Sequence, residues 1–180
     1  MNKHFSKDLY RYYGDKGETL IRRLLRPVEL KYIALFRKAH DCKIPLLKTY
    51  YTVRLKLMSY RTQIQIPART QIGEGFYIGH SGRVIIHPDS KLGKNMNIGT
   101  GVTIGCENRG KRIGVPTFEG DCWIGTNAVI VGNVKIGRDV LIAPLAYVNF
   151  DVPEHSVVIG NPAQIISRDN ATVDYICNRV

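Results

Sequence analysis

Between Ile66 and Val148 an aliphatic or aromatic side chain returns at every sixth residue. The first run is Ile66, Ile72, Ile78 and Val84. The register slips by two and resumes at Leu92, Ile98 and Ile104. A polar interruption follows, Glu107 to Phe118 at its widest, and the beat then holds through Phe118, Ile124, Ile130, Ile136, Ile142 and Val148. Glycine comes directly after the beat residue at Gly73, Gly79, Gly93, Gly99, Gly105, Gly125 and Gly137. Four residues after many beats stands a smaller apolar residue: Val102, Cys122, Ala128, Val134, Val140 or Ala146. A period of six suits neither the 3.6-residue turn of a helix nor the two-residue alternation of a strand. It suits a unit of one short strand plus one turn, three to a coil, wound into a parallel β-helix. Each beat residue then points into a triangular prism and stacks on its equivalents above and below. The glycines read as corner residues that relieve unusual φ/ψ.

Residues 1–60 lack the beat and read as a helical region, with the β-helix over 61–166 and a polar tail over 167–180. Leu20, Ile21, Leu24 and Leu25 have the spacing of an apolar helix face, with Arg22, Arg23 and Arg26 on the other side. Pro27 suits the opening of a further helix, Val28 to His40, with Leu30, Ile33, Leu35 and Phe36 as its buried stripe. Pro45 opens another, carrying Leu46, Leu47, Tyr50, Tyr51, Val53, Leu55 and Leu57. These helices are expected to cap the open first coil, whose strand edges need cover. The competing expectation is a basic amphipathic surface that approaches an anionic membrane. The tail is expected to be weakly ordered or a short docking element.

Charge is uneven. The chain carries a formal +11, and residues 1–60 hold 14 Lys and Arg against 5 Asp and Glu, so +9 lies in the first third. A basic surface serves nucleic acid, anionic lipid or an acidic polymer. Nucleic acid is not expected, because neither finger spacing nor an RNP-like aromatic segment is present. Cysteines 42, 106, 122 and 177 include no C-x-x-C pair, so neither a metal nor a redox site is expected. The start, Met1-Asn2-Lys3-His4, is polar, and no apolar run nears the roughly 18 residues of a membrane span. The expectation is a reduced, cytoplasmic protein, peripheral at most to the inner membrane face.

The stretches Ile72-Gly73-Glu74-Gly75-Phe76-Tyr77-Ile78-Gly79-His80, Asn97-Ile98-Gly99, Val102-Thr103-Ile104-Gly105, Trp123-Ile124-Gly125 and Val158-Ile159-Gly160-Asn161-Pro162-Ala163 resemble the hexapeptide-repeat acyltransferases. Within that superfamily the chain is most similar to serine acetyltransferase and the serine-acetyltransferase-like O-acetyltransferases of capsule and exopolysaccharide clusters. The resemblance covers roughly Arg61 to Ile166. It implies a mainly β fold, a left-handed parallel β-helix with an N-terminal α-helical region. It also implies acetyl-CoA as co-substrate, no metal, and a homotrimer whose sites form between subunits.

Acyl transfer from a thioester to a hydroxyl needs a base for the proton and donors for the oxyanion. A neutral imidazole is the natural base near pH 7. His4 and His40 fall in the helical region and His155 in the closing Pro-Glu-His-Ser segment, which leaves His80 and His87 on the coils. His80 is two places after a beat residue and so projects outward at a corner. It also matches the catalytic histidine of serine acetyltransferase, here within His80-Ser81-Gly82-Arg83-Val84-Ile85-Ile86. The resemblance implies two departures. Gln65 stands at the place of the aspartate that orients that histidine, with a backbone carbonyl or Asp89 as candidates to take over. Val115 stands at the place of a second histidine, before a proline in the long loop, that helps to hold the amino acid. These losses point away from free serine and toward a saccharide hydroxyl in capsule or exopolysaccharide assembly. Gln65, Arg83, Lys111 and Arg112 are the candidate acceptor-binding residues, the cations suited to an acidic sugar or a pyrophosphate carrier. Residue-for-residue matching puts acetyl-CoA contacts near Gly105, Thr126 and Pro144. Gln164 replaces a lysine frequent in the family, which leaves Arg168 as a candidate for the 3′-phosphate. Two rival functions stand beside this one: a serine O-acetyltransferase of cysteine biosynthesis, and a non-catalytic β-helix that binds a partner through its basic helices.

Overall fold

The computed structural model describes residues 3–180; Met1 and Asn2 of the polar start lie outside the described residues. Four helices come first: α1 (Lys3–Tyr13), α2 (Leu20–Leu24), α3 (Val28–Asp41) and α4 (Pro45–Thr62). The first coil follows as β1 (Ile64–Gln65), β2 (Gln71–Ile72) and β3 (Tyr77–Ile78), and the second as β4 (Val84–Ile86), β5 (Lys91–Lys94) and β6 (Asn97–Ile98). The third is β7 (Thr103–Gly105), β8 (Thr117–Gly120) and β9 (Cys122–Ile124), and the fourth β10 (Val129–Val131), β11 (Lys135–Ile136) and β12 (Val140–Ile142). The last elements are β13 (Tyr147–Val148), β14 (Ser156–Ile159) and β15 (Gln164–Ser167). Strands one coil apart pair in parallel and form three faces: β1-β4-β7-β10-β13, β2-β5-β8-β11, and β3-β6-β9-β12-β14, with β15 antiparallel at the end of the third. The six-residue beat is therefore a parallel β-helical prism.

The register accounts for both breaks in the beat. Ile72 pairs with Leu92, 20 residues on, two more than three hexapeptides need. The excess is absorbed at β4, where Val84 pairs back to Ile64 and Ile86 pairs forward to Ile104, and all four are buried. Leu92 pairs with Phe118, 26 residues on. Eight residues thus leave the prism, as a loop closed by reciprocal hydrogen bonds between Glu107 and Gly114, both 3.0 Å. The beat residues from Ile98 through Val148 are at most 2% exposed, and so are Val102, Cys122, Ala128, Val134, Val140 and Ala146.

The glycines act differently from the corner role expected of them. Those that follow the beat do not adopt positive φ; the left-handed positions belong to Asn95, Asp121, Asn127, Asp139, Leu145 and others. At Gly73, Gly93, Gly99, Gly125 and Gly137 the reason is close approach between coils, whereas Gly79 and Gly105 have room for a Cβ. A Cβ on Gly93 would lie 2.1 Å from the Glu119 carbonyl oxygen, and one on Gly125 would lie 2.6 Å from the Pro144 nitrogen. Any side chain there would push successive coils apart.

The helical region caps coil one through side chains that take the place of a missing strand. The Tyr32 hydroxyl accepts from the Ile66 N–H at 3.1 Å and donates to the Ile66 carbonyl at 3.3 Å. Tyr12 does the same for Ile78, at 3.2 and 2.7 Å. Burial pushes both phenols up, which keeps them protonated and able to donate. Arg37 donates to the carbonyls of Ile72 and Gly73, each at 2.6 Å, and Asp8 accepts from the Phe76 N–H at 2.8 Å. Each of these backbone groups would otherwise be a buried orphan costing roughly 1–3 kcal/mol. Leu30, Ile33 and Phe36 of α3 are buried as expected, Leu35 of the same expected stripe is only half-buried, and α4 buries only Leu55 and Thr62.

The tail takes the docked form. Asp139 accepts from the N–H groups of Ala171 and Thr172, both at 2.9 Å, and from the Thr172 hydroxyl at 2.6 Å. Tyr175 packs edge-on against Trp123, and Arg11 of α1 donates to the Cys177 carbonyl at 2.8 Å. The tail therefore crosses the third face and ties it to the helices.

Candidate functional site

His80 sits in the turn from β3 to β4, at the corner between the third and first faces. Beat residue Ile78 is buried, so the chain leaves the prism at Gly79 and the imidazole is exposed. The turn is held by groups from other elements. Glu29, in the first turn of α3 and only 8% exposed, accepts a hydrogen bond from the Ser81 N–H. The Gly82 N–H donates to the Thr62 carbonyl at 3.1 Å, and the Val84 N–H to Gln63 at 3.3 Å, at the end of α4. From the next coil the Thr100 hydroxyl reaches the Ser81 carbonyl at 3.4 Å. Gly82 has φ +133°, and a Cβ there would lie 2.3 Å from the Thr100 hydroxyl, so glycine is what lets Thr100 close on the turn.

Beside this turn a cleft of about 650 Å³ opens between the end of α4 and the corner. Gln65 and Arg83 both line it, with Tyr60, Gln63, Thr100 and Asn127. Arg83 is its only charged residue, so the cleft favours an anionic or carboxylate-bearing ligand. The same corner recurs in the following coils as Thr100, Thr126 and Pro144, linked by bonds from Asn127 N–H to the Thr100 carbonyl (2.9 Å) and from Leu145 N–H to the Thr126 carbonyl (3.0 Å). Thr126 and Pro144 thus lead away from His80 along one exposed edge. Gly105 lies apart, at the far end of β7 where the first face turns into the second.

Lys111 and Arg112 also lie at that far corner, in the one-turn helix Gly110–Arg112 of the loop. Arg112 is engaged there, with Asp151 at 2.9 Å and the Asn133 carbonyl at 3.4 Å. Within one chain, then, Gln65 and Arg83 share a cleft beside the turn that carries His80, which does not itself line it, and Lys111 and Arg112 do not join them. Asp89 does not orient His80: it pairs with Arg69 at 3.2 Å and donates its N–H to His87 at 3.2 Å, on the turn after β4. The carboxylate that reaches the His80 turn is Glu29, which lies 51 residues upstream; the only local signal, an acid in a first helical turn, has an ordinary explanation in the helix dipole. His155 is structural, with Nδ1 2.9 Å from Asp139.

A parallel prism of hexapeptide coils with an exposed histidine at one corner defines a class, the hexapeptide-repeat transferases. The family model for the bacterial transferase hexapeptide (six repeats) matches residues 117–149. The chain is 32% identical over 114 residues to the serine acetyltransferase of Helicobacter pylori, covering 63% of this chain and 67% of that one. It is 31% identical over 118 residues to that of Bacillus licheniformis, covering 66% and 55%. Among solved structures, serine acetyltransferase of Neisseria gonorrhoeae superposes with a TM-score of 0.74 at 26% identity, covering 92% of this chain and 64% of that one. Brucella abortus serine acetyltransferase in complex with coenzyme A gives 0.78 at 24% identity, covering 92% and 67%, a likeness of fold. The chain belongs to the hexapeptide-repeat acyltransferase family. It spans little more than half the length of the Bacillus relatives it matches. These relatives overturn the expected saccharide acceptor of capsule or exopolysaccharide assembly, because they are serine acetyltransferases. The losses at Gln65 and Val115 were too narrow a basis for that acceptor.

Proposed function

We propose that the chain is an acetyl-CoA-dependent serine O-acetyltransferase, with His80 as general base. His80 takes the hydroxyl proton, the serine oxygen attacks the thioester carbonyl, and the CoA sulfur leaves as the carbonyl re-forms. The observation that carries the reading is the His80 turn: exposed at a corner, fixed by Glu29, Thr62 and Thr100, and adjoining a cleft whose only charge is Arg83. Arg83 faces the acceptor carboxylate in this reading, and Gln65 offers it a neutral hydrogen-bonding partner. Acetyl-CoA lies along the exposed edge of Thr126 and Pro144, where short side chains leave room for the pantetheine arm. The coil is left-handed, a reading supported by the likeness to solved serine acetyltransferases. One prism offers one wall of such a groove, so the reading includes a homotrimer in which a neighbour supplies the other wall. Gly105, Lys111 and Arg112, at the far corner, then act toward the neighbour's site. The four cysteines are free, which supports a cytoplasmic setting.

The test is CoA release measured with serine and with a panel of sugars, products identified by mass spectrometry. Serine-dependent release with O-acetylserine formed is the expected result. Release with sugars alone, or with no acceptor at all, would overturn the reading.

A further inference from the structure

Helix α2 buries no residue. Leu20, Ile21, Leu24 and Leu25 are 73%, 68%, 71% and 75% exposed, four aliphatic side chains within six residues. The apolar face expected from their spacing is there, but nothing among the described residues covers it. Arginines 22, 23 and 26 alternate with them. Next to α2, a groove of about 470 Å³ runs between the start of α3 and the end of α4. Val28, Leu35, Leu57 and Met58 give it an apolar lining, and its charged residues are Arg26, Lys31, Arg54 and Arg61, with no acid among them. Of these, Arg26 is matched by Glu18 at 2.5 Å, and Arg54 lies over the Tyr50 ring and donates to its hydroxyl at 3.3 Å, a contact that brings no negative charge. Apolar exposure and unmatched positive charge therefore coincide on one region of the molecule.

An occupant must supply both apolar depth and dense negative charge. Nucleic acid supplies the charge without the apolar depth. A second copy of this chain would bring another region of +9 against this one if it met face to face, a like-charge contact that opposes association. An anionic bilayer supplies both, with phosphates for the guanidinium groups and an acyl boundary for the aliphatic ones. No helix among the described residues is long and apolar enough to cross a membrane, so contact is with the surface. We propose that the α2 face and the basic groove beside it dock the protein on an anionic phospholipid surface. Leu20, Ile21, Leu24 and Leu25 enter the headgroup boundary, while Arg23, Lys31 and Arg61 meet lipid phosphates. This inference is independent of the acceptor and of the chemistry at His80.

The experiment is co-sedimentation of the full chain with vesicles of phosphatidylcholine alone or with roughly one-third phosphatidylglycerol, a fraction that gives a strongly negative surface. Binding is expected only to the anionic vesicles and weakens as salt is raised. Arg23→Gln with Lys31→Gln should lower the partition coefficient about 25-fold, about fivefold for each cation removed. Leu20→Ser with Leu24→Ser should lower it at least about tenfold. All four positions are exposed, so unchanged melting shows the variants folded. Equal binding to neutral vesicles, no binding to anionic ones, or binding that neither pair of substitutions reduces would overturn the proposal. So would a drop in assembly mass by light scattering in the leucine variant, which would show that the face seats a second copy.

Discussion

A side chain that holds the turn carrying His80 comes from another element, α3. Glu29 is a buried carboxylate that accepts from the Ser81 N–H, next to the imidazole-bearing residue. With glutamine at position 65, Glu29 is positioned to hold the turn against the pull of solvent. Glu29→Ala should lower kcat about tenfold or more with little change in the KM for acetyl-CoA, since a hydrogen bond to a charged group is worth about 1.5–3 kcal/mol. Glu29→Gln keeps an acceptor oxygen and should recover most of that loss; equal loss in both variants would mean that charge, rather than positioning, is what matters. Asp139 does similar work for the tail. Burial alone would raise its carboxyl, but bonds from Thr172, His155 and Ala171 outweigh this and hold it below the usual range. The bond to Asp139 holds the His155 imidazole above its usual value. The Asp139 contribution is therefore present above about pH 3.8 and lost as pH falls through its lowered value. That of His155 is complete below about pH 6.5 and lost as pH rises through its raised value. Resistance to cleavage within residues 168–180 should be greatest between those limits, and Asp139→Ala should remove it; limited proteolysis across pH checks both. His80 was legible in the sequence because its place after a beat residue fixes its direction. Glu29 was not, because a helix position says nothing of which distant N–H it will meet.

Among the elements, α1 and α3 replace a strand that coil one lacks. Their polar side chains at Asp8, Tyr12, Tyr32 and Arg37 are matched to particular backbone groups. Arg37 and Asp8 also form an ion pair at 2.7 Å with both side chains at most 1% exposed. Arg37→Ala would leave the buried Asp8 carboxylate with no counter-ion, its bond from the Phe76 N–H apart, and would remove the Arg37 donor from two carbonyls at once. A loss of about 3–5 kcal/mol in chemical denaturation is expected, the cost typical of breaking a buried pair; a loss below about 1 kcal/mol would show that the cap is dispensable. The openings of α3 and α4 and the apolar face of α2 could be read from proline positions and apolar spacing, whereas the start of α1 at Lys3 and the end of α4 at Thr62 could not. Their capping chemistry could not, because hydrogen bonds between residues more than 30 apart leave no periodic trace. The reason for most of the glycines was also hidden: a period shows where glycine recurs, while only the stacked coils show that at five of the seven a Cβ would strike the next backbone.

For the whole molecule, the prism was the most legible feature, because every coil repeats the same inward choice. Ile130→Asp tests it, since Ile130 is fully buried between Ile104 and Val148. An unpaired carboxylate there costs at least several kcal/mol, and soluble folded protein should be lost; normal expression and melting would contradict the register. The acceptor was the least legible feature, since two substituted positions, Gln65 and Val115, suggested a chemistry that the relatives do not share. The central claim, that the His80 corner is where an acetyl group moves to serine, is tested most directly by steady-state CoA release from acetyl-CoA and serine in wild type and His80→Ala. Removing a general base should lower kcat roughly 10²–10⁴-fold, with the KM for acetyl-CoA nearly unchanged. Turnover near wild type in His80→Ala, with O-acetylserine still formed, would contradict the account.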